Sequence, residues 1–397
     1  MRVLVVGSGG REHALVWALD RDGNVDELHA APGNPGISSI AFCHPVRADD
    51  SGAVVSLARE LPIDLVVVGP EAPLVAGLAD ELRRHGVGVF GPSAEAARIE
   101  GSKSFAKEVM EAAGVATAQT LPVARPPCVV KADGLAAGKG VWVCRGEEEL
   151  EDALRAAQAL GQPFHVEELL EGPELSLFAI AAGEGAVPLP PARDYKRIGD
   201  GDTGPNTGGV GSYSPLPDTP DEDAEEILET VHRPVLRELA RRGTPFHGAL
   251  YGGLMRTADG IRVIEFNCRF GDPDTQPLLA RLESDLLPLL AGDLSEPPRF
   301  SPRAAVVVVL TAPDYPARSD YRGAAIEGVE DAEAAGALVF HAGTALHDGR
   351  LVASGGRILD VVGLGDTVAE ARTAAYDAVA RIHFDGMQYR RDIAANA

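Results

Sequence analysis

The chain has 397 residues, enough for two to four domains with ample core. Its 36 Lys plus Arg against 59 Asp plus Glu give a net charge of −23, which argues against a nucleic-acid surface. No apolar run approaches a membrane span, and the start reads as a strand rather than a signal peptide. The four cysteines show neither metal spacing nor a disulfide framework, and they read as buried thiols of a reducing cytoplasm.

Strands and helices alternate at the start. Arg2–Val6 reads as a buried strand, and Gly7-Ser8-Gly9-Gly10 turns it into a helix from near Arg11. A glycine turn before a helix N-terminus suits an anion. The third glycine of a dinucleotide fingerprint is missing, so that match is weak. Strands follow at about 27–31, 64–68 and 88–90, with helices at about 52–60 and 74–85. The loops at Gly7, Gly33 and Gly69-Pro70-Glu71 follow strand ends, where a doubly wound parallel sheet binds ligands. This N-terminal α/β domain runs over 1–101.

Ser102 is the expected N-cap of the next helix and Gly114 its C-cap. Two apolar runs, Cys128–Val130 and Val141–Cys144, then flank the glycine-rich loop Ala132–Gly140, as in a β-hairpin. Lys131 stands at the root of the loop and Lys139 at its far end. Backbone N–H groups plus two ammonium charges make a site for polyphosphate. The chain holds only five lysines, Lys103, Lys107, Lys131, Lys139 and Lys196, so their placement is selective. Lys107 is expected to be the exception, an exposed helix residue.

A small module is expected at about 115–185 and a larger one at about 186–303. Residues 193–215 read as a long structureless loop with a functional role. Asp223–Arg242 reads as one helix. Two strands follow, His247–Met255 and Arg262–Asn267. Glu265 and Asn267 stand two apart on the second strand and share a face, while Phe266 points into the core. An acid and an amide so placed offer hard oxygen ligands about 6–7 Å apart, a pattern that suits Mg²⁺ on nucleotide phosphates. Pro297-Pro298 marks a linker to a small C-terminal α+β domain, 304–397, whose closing helix starts with Thr367 and Glu370 as a capping box. The sequence shows no P-loop, no zinc spacing and no evident covalent nucleophile, which leaves catalysis by positioning and charge neutralisation.

Seven motifs together resemble the phosphoribosylamine–glycine ligases of the ATP-grasp superfamily. They are Gly7–His13, Glu100–Phe105, Lys131–Gly140, Glu167–Leu170, Asp202–Gly209, Glu265–Gln276 and His341–Thr344. The resemblance covers essentially the whole chain. It implies the ATP-grasp fold over 102–303, with ATP clamped between two α+β modules. Lys103 and Lys131 would contact its phosphates, with Gly138, Lys139 and Gly140 as a flap over them. Glu167, Glu168, Leu169 and Leu170 would form the adenine hinge, and Glu174 would hold the ribose. Glu265 and Asn267 would bind Mg²⁺ or Mn²⁺, two ions in all. Lys131, Lys139 and Arg269 would be catalytic.

The substrates implied are glycine and 5-phosphoribosylamine, joined through a glycyl phosphate by a cytoplasmic monomer with no nucleic-acid or membrane partner. The sugar phosphate is expected near Gly9, Gly10, Asn206, Thr207, Gly208 and Arg269, and glycine near Asp194 and Arg269, with Lys196 in the same substrate region. Two departures stand out. Tyr195 occupies a position that is histidine in many members, and Ala249–Met255 offers no acidic third metal ligand. Two other readings are a carboxylase of the biotin-dependent type and a non-catalytic nucleotide sensor.

Overall fold

Arg2–Gly7 carries apolar side chains on both faces, the pattern of a strand covered by helices on either side. In the computed structural model, which describes residues 1–134 and 140–397, it is the middle strand of a five-stranded parallel sheet. The order is Phe42–Cys43, Glu27–Pro32, Arg2–Gly7, Leu65–Val68, Gly88–Phe90. Val3 and Val5 pack with Ala14 and Leu15 of the helix Gly10–Asp20, while Leu4 and Val6 pack with Val54 of the helix Ser51–Glu60 on the other side. The chain winds outward to one edge and then crosses to the other. That reversal leaves a crevice beyond the carboxyl ends of Arg2–Gly7 and Leu65–Val68.

The expected hairpin is present, with Cys128 paired to Cys144 and Lys131 to Val141. Phe164–Glu168 completes a three-stranded sheet with it, and the helix Glu147–Ala159 covers one face. Cys128, Val130, Cys144 and Val166 join Leu150, Ala153 and Ala157 in a small core of their own. Strand alternation sends Val129 and Lys131 to the opposite, open face. The helix Lys103–Ala113 has both expected caps: Ser102 Oγ accepts from the Phe105 N–H at 3.2 Å, and Gly114 ends it at φ 68°.

Residues 193–215 differ from the expectation. They carry four short strands, Arg193–Asp194, Arg197–Gly199, Thr203–Asn206 and Gly211–Ser214. The first and last belong to a five-stranded sheet ordered Arg193–Asp194, Gly211–Ser214, Ala304–Thr311, Arg357–Gly365, Leu338–His341. Every residue of Ala304–Thr311 is buried, so that strand needs partners on both edges. Strands of two to four residues are too short to show a period, so the sequence pattern could not reveal them. A separate antiparallel sheet, Gly185–Pro188, Glu174–Ala182, His247–Thr257, Gly260–Asn267, carries Glu265 and Asn267 at its edge. Phe266 between them is buried, as expected.

The helix expected over 223–242 is interrupted. Asp223–Ile227 and Arg233–Arg241 are α-helical, and Leu228–His232 between them is a π-turn. Pro234 has no N–H for a bond to residue 230, and the wider turn accommodates that loss. The π-turn places His232, fully buried, edge-on to Phe266 with ring centroids 5.8 Å apart. Thr367 caps the last helix as expected, but Glu370 reaches back to the Asp366 N–H at 2.9 Å rather than closing a reciprocal box on Thr367. Among the described residues no helix is long and apolar enough to cross a membrane.

Burial pushes the His232 imidazole down to about 4. The unfolded chain therefore binds more protons at this position below its usual pKa near 6.5, and the neutral ring's contribution to stability fades as pH falls through that range. His232→Leu should be destabilising at pH 7.5. The deficit relative to wild type should shrink by about 1 kcal/mol between pH 6.5 and 5.5, the linkage of one histidine that is half protonated at the start of that window in the unfolded chain. Urea unfolding of both proteins at the two pH values measures this. A deficit that does not change with pH would show that His232 is charged in the fold.

Candidate active site

A cavity of about 1240 Å³ lies between the open face of the three-stranded sheet and the sheet bearing Glu265, and it extends to the crevice of the N-terminal sheet. Its first part is an apolar slot lined by Met110, Val129, Val143, Met255 and Ile264. Lys131 stands beside it, with Nζ 2.7 Å from Glu167 Oε2 and donating to the Ile264 carbonyl at 3.0 Å. Lys107 Nζ lies 2.9 Å from the other Glu167 oxygen, and His165 Nε2 lies 3.0 Å from it. Burial pushes Glu167 up, but the His165 hydrogen bond and the two lysines outweigh it and hold the carboxyl at about 2. Lys107 is therefore half-buried at the site and paired, not an exposed helix residue. The helix Lys103–Ala113 turns it inward, one turn on from Lys103.

Lys103, Gly140, Glu168, Leu169 and Leu170 line the same slot. The Glu168 side chain is engaged from outside, accepting from the Gln119 N–H at 2.9 Å and facing Arg262 at 3.4 Å. The Glu168 backbone N–H is engaged as well, donating to the Gln119 carbonyl at 2.9 Å. Gly138 and Lys139 lie outside the described residues.

The floor of the cavity is charged. Glu265 and Asn267 both face it. Gly253 sits opposite Glu265 in the sheet, and a side chain there would come within 3.2 Å of the Glu265 Cγ. Burial pushes Glu265 up, yet Lys196, Lys131, Lys103 and Arg269 together hold it below the usual carboxylate range. Lys196 Nζ lies 3.2 Å from Glu174 Oε2. Burial works against the Lys196 charge, but Asp194 and Glu174 overcome it and raise its pKa well above the ordinary value. Burial raises Asp194 in turn, and Asp274 behind it is pushed up to about 7 by burial and by Asp194. Tyr251 lines this corner and its hydroxyl lies 3.0 Å from Ser176 Oγ.

Arg269 divides this floor from the N-terminal crevice. Its guanidinium lies 3.2 Å from Glu100 Oε1 and 3.4 Å from Glu71 Oε2. Asn206, Thr207 and Gly208 form the far wall. Arg357 holds that wall by donating to the Gly208 carbonyl at 2.7 Å and to Asp272 Oδ2 at 2.9 Å, and Tyr315 OH accepts from the Gly208 N–H at 3.0 Å.

The glycine turn is arranged differently from the expectation. The Gly9 N–H donates to Glu12 Oε2 at 2.6 Å, so the chain's own carboxylate sits where an anion was expected. Gly10 packs on Asp360, where an added Cβ would fall 1.7 Å from Oδ2. Neither Gly9 nor Gly10 lines the cavity, although Arg11 does. Tyr195 turns its hydroxyl to the Ala394 N–H at 2.9 Å, under the Arg390 guanidinium, and so tethers the C-terminal segment.

Every other expected site residue among the described ones lines this single cavity. Sequence reasoning missed Glu71, Glu100, Tyr251, Asp272, Asp274 and Arg357. Glu100, Asp272 and Asp274 lay inside motifs already singled out, whereas Arg357 gave no local signal.

Comparison with known proteins agrees along the whole chain. Profiles for phosphoribosylglycinamide synthetase match in three parts: the N domain over residues 1–100, the ATP-grasp (A) domain over 101–275 and the C domain over 305–396. The chain is 51% identical to a phosphoribosylamine–glycine ligase of Streptomyces coelicolor, across 100% of this chain and 99% of that one. It is 47% identical to one of Mycobacterium tuberculosis, across 100% and 98%. The crystal structure of the Thermotoga maritima phosphoribosylamine–glycine ligase superposes with a TM-score of 0.85 at 35% identity, covering 99% of this chain and 100% of that one. A biotin carboxylase of Campylobacter jejuni, 13% identical with a TM-score of 0.70, shares the fold. The fold is ATP-grasp, and the chain belongs to the phosphoribosylglycinamide synthetase family.

Proposed function

We propose that this protein joins glycine to 5-phosphoribosylamine with ATP, giving glycinamide ribonucleotide, ADP and phosphate in purine biosynthesis. The observation that carries this reading is one cavity joining an apolar slot with lysines, an ionised Glu265 beside Asn267, and the crevice of a parallel sheet. Those are places for a nucleotide, its phosphates and an acceptor. The working unit is a single cytoplasmic chain, consistent with its free, largely buried cysteines.

Adenine would lie in the slot against Val129 and Met255, reading the backbone of Glu167–Leu170, with Glu174 at the ribose. Lys131 is pre-positioned for the phosphates because Glu167 and the Ile264 carbonyl fix its ammonium. Lys103 adds a second charge from the helix start. Glu265 and Asn267 fit Mg²⁺ or Mn²⁺, two ions, because both are oxygen donors and Glu265 is ionised despite burial. Bound there, the ions would neutralise charge on the transferred phosphoryl group. Glycine's carboxylate would lie beside Arg269, its ammonium towards Asp194, ready to receive that group. Asn206–Gly208, held by Arg357, would face the sugar phosphate. Placing the reacting groups within contact distance, rather than covalent participation, is what this chain's residues contribute.

ADP release should require glycine and 5-phosphoribosylamine together. Release that ignores either one, or that runs equally well with bicarbonate, would overturn the assignment. Glu265→Gln keeps the size of the side chain and removes its charge. It should lower turnover by about 10²–10³, roughly 3–4 kcal/mol, as for loss of one preorganised charge-stabilising group. Nucleotide binding should also need more Mg²⁺, while the melting temperature without ligand stays close to wild type. Normal turnover at ordinary Mg²⁺ would make Glu265 a structural strand residue.

A further inference from the structure

The loop Gly69-Pro70-Glu71 follows the strand Leu65–Val68 at the point where the N-terminal sheet reverses its winding. Crevices at such points are where open parallel sheets receive ligands. The neighbouring loop of that crevice, Gly7–Gly10, is filled by the Glu12 side chain, which takes the Gly9 N–H and sits where a side chain on Gly69 would be. Two charged side chains of the crevice reach the cavity, Arg11 and Glu71. Glu71 is 30% exposed, and its ion-pair partner is Arg269 at 3.4 Å. A carboxylate has about four acceptor sites, so among the described residues the long Arg269 contact and the Glu71 N–H leave the carboxylate able to receive a donor from the cavity. Glu100, on the other side of Arg269, is committed: it is 8% exposed and accepts from the Cys268 N–H at 2.8 Å.

We propose that Glu71 is the catalytic carboxylate that holds the amine of the sugar substrate and takes its proton as the carbon–nitrogen bond forms. This rests on the ligase reading above. Glu71 lines the same cavity as Glu265 and meets Arg269 from the N-terminal domain, so it can face the amine that attacks an acyl phosphate formed at Arg269. The nitrogen lone pair attacks the glycyl carbonyl carbon. The carbon–oxygen bond to phosphate breaks, and its electron pair leaves with the phosphate as a trianion. The surplus proton on nitrogen passes to Glu71 and on to that phosphate, which departs as the hydrogen phosphate dianion. Burial pushes Glu71 up, but Arg269 and Arg11 outweigh it and keep the carboxyl ionised and ready to accept.

The test compares two acceptors on Glu71→Gln. With 5-phosphoribosylamine, formation of glycinamide ribonucleotide should fall by about 10², the usual size of a lost acid–base group. With saturating hydroxylamine in place of the sugar amine, formation of glycyl hydroxamate and ADP should stay within about threefold of wild type, because a small neutral nucleophile needs neither holding nor a base. Equal loss with both acceptors would overturn the proposal and assign Glu71 to glycine activation or to the fold. Unchanged ribonucleotide formation would overturn it as well. Wild-type protein that makes no ribonucleotide would instead sink the ligase reading, and that result is independent of the variant.

Discussion

A carboxylate buried at the floor of a cavity has to be kept charged, and most of this architecture serves that requirement. Removing an unpaired charge from water costs several kcal/mol. Glu265 stays ionised because Lys196, Lys131, Lys103 and Arg269 converge on it from four different parts of the chain. Three of these cations are in turn fixed by carboxylates, Lys131 by Glu167, Lys196 by Glu174, and Arg269 chiefly by Glu100. The result is an alternating network of charge drawn from residues 71 to 269. A chain of net charge −23 repels nucleotide phosphates at long range. Of its five lysines, the four that the structure describes all line this one cavity, which reverses that field where it matters.

Much of this was legible in the sequence because the relevant residues lie in short motifs. The hairpin around Lys131, the shared face of Glu265 and Asn267, and the parallel sheet of the N-terminal domain all follow from local period and glycine placement. What escaped was decided by distant parts of the chain. Within 193–215 the strand Gly211–Ser214 pairs with Ala304–Thr311, some hundred residues later, and brings Arg193–Asp194 into the same sheet. Lys107 looked like a surface residue until Glu167 came to meet it. The Gly7–Gly10 turn had the right form for an anion, and the occupant proved to be Glu12, three residues along the same helix. Arg357 could not have been found at all, since its role depends on the carbonyl of Gly208 and the carboxylate of Asp272.

The contact between the first and last parts of the chain follows the same logic with neutral groups. His13 Nδ1 accepts from the His341 N–H at 2.8 Å, and Asn34 donates to the His341 carbonyl at 2.7 Å. Burial pushes both imidazoles down, His13 to about 3 and His341 to about 4. Gly36 leaves room for the two rings, where any side chain would collide with both. Three motifs far apart in sequence thus meet as one uncharged joint that ties the N-terminal sheet to the strand Leu338–His341.

The five-stranded sheet built from residues 193–214 and 304–365 also bears on how the protein is made at the ribosome. Chains emerge from the N-terminus and fold as units become available. The parallel sheet needs only the first 90 residues and can close early. The far wall of the cavity is completed later, because the Gly208 carbonyl lacks its Arg357 donor until that residue has been synthesised. Some 150 residues are therefore translated with that wall unset. The nascent chain carries a finished parallel sheet well before it can enclose the cavity, which is completed only as synthesis nears its end.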